Sequence, residues 1–256
     1  MNETLTWHRF WLLIRSDAIA DYRFVLIVSA AIAGFMLLSG LNTDSGNTNF
    51  YNVWFTGVLF VWGTVNASFS FRELHDKARN EAYLLLPASA LEKMLARLFR
   101  STIAFVVYLL IFMTLASFVI EGVKWIVLGR TNPVFMPFEP AGWQRLGNFI
   151  VLQSLFFLGA AWFRRLHFVK TMVALNVGPI VLALVVGLVL RIIFGDPQIA
   201  FSGLNQDSFY SFYLAHQLAF DAMLAVLKFV YFIAIPVFCW CVAWLRVKEA
   251  QVSDGV

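Results

Sequence analysis

Charge is scarce in this chain. Only 13% of its 256 residues are Asp, Glu, Lys or Arg, against roughly a quarter in an ordinary soluble domain. The apolar share is 61% and the mean hydropathy is +0.76. A compact body in water lacks the interior to hide so much apolar surface. The shortage of charge therefore excludes a soluble enzyme, a disordered tail and a nucleic-acid module, and leaves a polytopic membrane protein. Cysteine is nearly missing as well. Cys239 and Cys241 are the only two; they lie too close for an ordinary disulfide and carry no message about redox compartment. Runs of alternating polarity are missing, which argues against a barrel. A cleavable leader is not expected, because Asn2 to Arg23 interleaves aromatics with charges and offers no clean apolar core.

Catalytic and metal-binding constellations are missing too. No His-Glu-x-x-His or Gly-x-Ser-x-Gly motif occurs. The four histidines, His8, His75, His167 and His216, lie in four separate segments. Cys239 and Cys241, two apart on a helix, would point about 200° from each other and make poor co-ligands. A Gly-x-x-x-x-Gly-Lys-Ser/Thr loop is absent, so the chain has no ATP site of the P-loop kind. No enzymatic activity and no directly bound cofactor or metal are expected.

What the chain does have is long apolar runs. A spanning helix needs about 20 mostly apolar residues. Six segments meet this: 24–41, 53–71, 101–120, 146–163, 171–194 and 224–245. With the N-terminus placed inside, the inner segments hold Arg9, Arg15, Arg23, Arg72, Lys77, Arg79, Lys93, Arg97, Arg100, Arg164, Arg165, Lys170, Arg246 and Lys248. The outer segments hold only Lys124, Arg130 and Arg145. This asymmetry puts both termini in the cytoplasm. Arg191 and Lys228 fall near the outer ends of spans, where they can snorkel to the interface.

The expected fold is all-α: one membrane domain over 1–256, with six transmembrane helices, an N-terminal interfacial helix and a folded cytoplasmic loop. Residues 1–23 form the interfacial element, in which Trp7, Phe10, Trp11 and Ile14 recur at three- and four-residue steps. Spans one and two occupy 24–71, the loop 72–100, spans three to six 101–245, and a cytoplasmic tail 246–256. Outer segments 121–145 and 195–223 are rich in aromatics and either cap the bundle or dip into the membrane.

The loop carries the most information. Its first part is highly charged and helix-forming, and Pro87 interrupts it. Ser89-Ala90-Leu91-Glu92 then reads as a capping box. Behind it Leu91, Met94, Leu95, Leu98 and Phe99 fall on one helical face. A capped helix thus runs into span three. Within the spans, Asn66, Gln153 and Asn176 stand out as polar groups. Such residues either join helices by hydrogen bonds or line a pathway.

In topology and in this loop the chain resembles the membrane subunit of type-2 ABC exporters. Glu73 matches the family's Glu after span two. Glu81, Leu84, Leu85, Pro87 and Ser89 match its second Glu, leucines and Pro-x-Ser with the same spacing. The family's Gly-Thr before the second Glu is replaced by Ala78 and Arg79. The resemblance implies a permease half of an ATP-driven exporter. It implies a coupling helix that docks on a separate cytoplasmic ATPase through Glu73, His75, Lys77, Arg79, Glu81, Leu84, Leu85, Pro87 and Ser89. ATP would be hydrolysed by that partner, and a second permease copy or a paralogue would complete the pathway. It implies a bacterial inner-membrane location with the lipid bilayer as the surrounding medium. The competing expectation is a non-transporting membrane scaffold or assembly protein whose loop recruits another partner.

Overall fold

The computed structural model describes residues 7–43, 46–71, 89–137, 139–163, 166–194, 214 and 217–253. Among these residues there is helix and no strand. Helix α1 is Trp7–Leu41 and α2 is Phe50–Ser68. Helix α3 consists of Ala90–Phe99, a π-turn at Arg100–Ala104, and Phe105–Leu128. Helix α4 is Pro140–Trp162 and α5 is His167–Phe194. Helix α6 consists of Gln217–Phe229, a second π-turn at Val230–Ala234, and Ile235–Ser253. Five of the six, all but α2, are long and apolar enough to cross a membrane, as a multi-pass membrane protein requires.

Helix α2 has the length for a span, at 19 residues, but not the apolarity. Tyr51, Asn52, Thr64 and Asn66 dilute its apolar residues. Its polar residues lie on buried and half-buried faces. α2 packs against α3 and α4, and Phe55, Leu59, Gly63, Ala67 and Ser68 are all buried. Its remaining face, with Val53 68% and Val61 66% exposed, is apolar.

Several sequence boundaries shift. The expected interfacial element and the first span are a single uninterrupted helix, because no proline or glycine lies between Trp7 and Ala33 to end it. At 35 residues it reaches about 52 Å. The third span likewise continues past Ile120 to Leu128, where Gly129 caps it in the left-handed conformation with φ +63. Its N–H donates to the Trp125 carbonyl at 3.0 Å, the arrangement that makes glycine favoured after a helix. Pro140 opens α4 at a position where a missing N–H costs nothing. These extensions turn most of outer segment 121–145 into helix. Segment 195–216 lies outside the described residues apart from Leu214.

α4 is the central rod, in contact with α2, α5 and α6. One apolar core joins α1, α2, α3 and the loop at Phe135. In it Phe105, Leu109, Met113, Ala116 and Ile120 follow helical spacing along α3. A second core near the other end joins Met94 of α3, Phe157 and Ala160 of α4, and Ala243 and Val247 of α6. Helix α5 stands apart. Beyond Thr171 none of its described side chains is buried. A helix apolar all round and bare on its outer faces suits lipid, not water.

Candidate functional site

The structure places the predicted site residues unevenly. Glu73, His75, Lys77, Arg79, Glu81, Leu84, Leu85 and Pro87 lie outside the described residues. Ser89 is described and acts as expected. Its hydroxyl accepts from the Glu92 N–H at 3.2 Å, and its own N–H donates to Glu92 Oε2 at 2.8 Å. Two of the orphan donors at the start of α3 are satisfied in this way.

The turns that follow are inverted relative to a soluble amphipathic helix. Glu92, Lys93 and Arg97 are 1%, 2% and 9% exposed, whereas Leu91 is 38% exposed. Met94 is buried on the inner side, while Leu95, Leu98 and Phe99 are only half-buried. The apolar face expected from the sequence exists, but it is not the side this helix buries most deeply. Charged groups can be enclosed only if they are partnered, and none of these three stands without an interaction. The same end of the helix is tied to α1. Arg100 Nη1 lies 2.7 Å from Asp21 Oδ2, and the Phe10 and Phe99 rings meet edge to face at 6.0 Å.

Of the three polar pathway candidates, Gln153 is fully enclosed, Asn66 is half-buried and Asn176 is exposed. Asn176 donates back into its own helix, Nδ2 to the Met172 carbonyl at 2.8 Å. Gln153 is the one placed between helices. Its Nε2 donates to Ser101 Oγ on the π-turn of α3 at 2.9 Å. The next residue, Ser154, donates into its own helix, Oγ to the Val151 carbonyl at 2.7 Å, beside the buried Cys239 of α6. Ser101, Gln153, Ser154 and Cys239 therefore form a polar layer across α3, α4 and α6, and the Gln153 Oε1 has no partner. One turn after Ser101 on α3 and one turn before Gln153 on α4, aromatic rings close the space. Phe105 and Phe149 lie 5.8 Å apart, Trp62 meets Phe105 at 5.8 Å, and Phe60 meets Phe149 at 6.4 Å. Gly63 makes this plug possible, because a Cβ there would stand 2.3 Å from Phe149 Cε2.

A second polar cluster, at the far end of α3, was not anticipated from the sequence. The Tyr51 hydroxyl donates to Glu121 Oε1 and the Asn132 N–H to Glu121 Oε2, each at 2.5 Å. Lys124 Nζ donates to the Thr43 carbonyl at 3.2 Å, and the Phe135 N–H to Ser117 Oγ at 3.3 Å. Glu121 is 6% exposed and Lys124 1%. The signal for this cluster is present in the sequence. Ser117, Glu121 and Lys124 stand four and three residues apart on a helix that is otherwise apolar, so they share one face.

No group of three or more His, Cys, Asp or Glu that could hold a metal ion occurs among the described residues. Comparison with protein-family models, curated proteins and solved structures finds no match for the chain.

Proposed function

We propose that the chain is the membrane subunit of an ATP-driven exporter, in the cytoplasmic membrane of a bacterium with both termini inside. α2 acts as the sixth span. The residues 72–88 bear the docking surface for a cytoplasmic ABC ATPase, and a second permease copy or a paralogue completes the pathway. One observation supports this most directly. The capped helix Ala90–Phe99 runs without interruption of helical structure through the π-turn into Phe105–Leu128. A displacement applied at the loop is thus delivered along a stiff element into the membrane, which is what coupling to an external motor needs. The buried polar layer beneath the aromatic plug adds hydrogen-bonding groups in the path of that movement.

The test is purification of the intact chain from its native membrane with mild detergent. A P-loop ATPase should copurify, and its hydrolysis rate should rise on reconstitution with the permease. Glu81→Lys should abolish that stimulation while leaving membrane insertion intact. Recovery of a stably inserted chain with no nucleotide-hydrolysing partner would sink the reading and favour the scaffold.

A further inference from the structure

We propose that the π-turn of α3 is a two-position register switch, in which Gln153 exchanges its bond to Ser101 for one to Thr102. The argument begins with what causes each π-turn. The turn Val230–Ala234 in α6 is followed by Pro236, which has no N–H to continue the α pattern. Arg100–Ala104 in α3 has no proline or glycine nearby. What it has instead is an inserted hydroxyl. Ser101 Oγ lies 3.3 Å from the Leu98 carbonyl, to which it donates, and accepts from Gln153 Nε2 at 2.9 Å. Tertiary contact with α4, not local sequence, therefore holds this turn. A π-turn carries one surplus residue, and such turns concentrate at functional positions.

The polar groups around it are half used. Gln153 is 0% exposed and its Oε1 has no partner. Exchanging the amide's O and N leaves the imbalance unchanged, since one end of the amide still lacks a partner. The next hydroxyl along the chain, Thr102 Oγ1, is also buried and without a partner. Relaxing the turn to α geometry, with Phe105–Leu128 held by its core, rotates the preceding segment by up to one residue's step, about 100°. That movement carries Thr102 into the sector that Ser101 now occupies, opposite Gln153. The Thr102 hydroxyl can then serve the amide in place of Ser101. Each register satisfies Gln153 with one hydroxyl and leaves the other idle, so the bonding of the amide itself does not choose between the two discrete arrangements. Glu92, Lys93 and Arg97 ride on the rotating segment, and their surroundings change with it.

The experiment uses the full chain in lipid nanodiscs, with Cys239 and Cys241 replaced by alanine. Nitroxides are attached at Leu91→Cys on the rotating segment and Leu245→Cys on α6, positions that are 38% and 49% exposed. Electron–electron distance measurements should give two populations. Ser101→Ala should enrich the second at least threefold. Thr102→Val, which keeps the shape and loses the hydroxyl, should collapse the distribution to the first. Elution as a single species at the wild-type position confirms folding of each variant. A single distance that neither substitution moves overturns the proposal, and so do two populations whose ratio is the same in all three proteins.

Discussion

At the level of single residues, the small and polar side chains inside the bundle do most to determine its packing. Gly63 lets the Phe149 ring cross α2. A methyl there would meet Phe149 Cε2 at 2.3 Å, Phe149 Cζ at 2.8 Å and Phe105 Cε1 at 2.9 Å. All three are ring atoms, which cannot give way as a flexible chain end would. Gly63→Ala should therefore cost about 1–3 kcal/mol as an overpacking change, read as a lower midpoint of thermal unfolding in detergent. Phe149→Leu in the same chain should recover part of it. Glu121 acts in the opposite sense, since its carboxylate accepts from two buried donors. Glu121→Ala leaves the Asn132 N–H and the Tyr51 hydroxyl without an acceptor, at roughly 1–3 kcal/mol for each stranded group. Tyr51→Phe removes one donor and its partner bond only, so its loss should be clearly smaller. Equal losses for the two variants would contradict the geometry.

Individual elements show where sequence patterns were readable and where they misled. The start of α3 was legible in detail, because a capping box is a local device: Ser89 and Glu92 satisfy each other's backbone within four residues. Ser89→Ala should cost about 1 kcal/mol of helix stability and raise amide hydrogen exchange over residues 90–95, with little change beyond Phe105. The burial of that helix was not legible. Its apolar face could be read from the sequence, but which face turns inward depends on what packs against it. Packing against α1 and α6 encloses Glu92, Lys93 and Arg97 and leaves Leu91 exposed. The end of the first element was misplaced for a related reason. The change from mixed to apolar composition near Phe24 suggested a boundary, yet composition alone does not stop a helix. No proline or glycine lies near Phe24 to end it, and the backbone ladder continues from Trp7 to Leu41.

For the molecule as a whole, the arrangement is a central α4 with α2, α5 and α6 around it and α3 bridging α1, α2 and α6. The charge asymmetry between loops predicts its orientation. Arg130, exposed in the loop after α3, faces outward in this scheme, and Glu249 near the end of α6 faces the cytoplasm. In a chain lacking Cys239 and Cys241, Arg130→Cys should react with a membrane-impermeant thiol reagent on intact cells. Glu249→Cys should react only after permeabilisation. The reverse pattern would overturn the assigned topology.

The class of protein and its helical make-up were already contained in the composition and the long apolar runs. Transfer of apolar area out of water is additive along the chain and needs no knowledge of neighbours. The capping box was contained there for the same reason, being short-range. Folding alone selected Gln153 over Asn66 and Asn176 as the enclosed amide between helices, and it gathered Tyr51, Glu121 and Asn132 into one cluster. It also set a π-turn opposite Gln153 with no proline to demand it. A polar side chain in an apolar helix is identical on paper whether it bonds its own carbonyl, as Asn176 does, or a neighbouring helix, as Gln153 does. Which of these occurs depends on the rotation and close approach of helices far apart in sequence, and those are fixed by packing across the whole bundle.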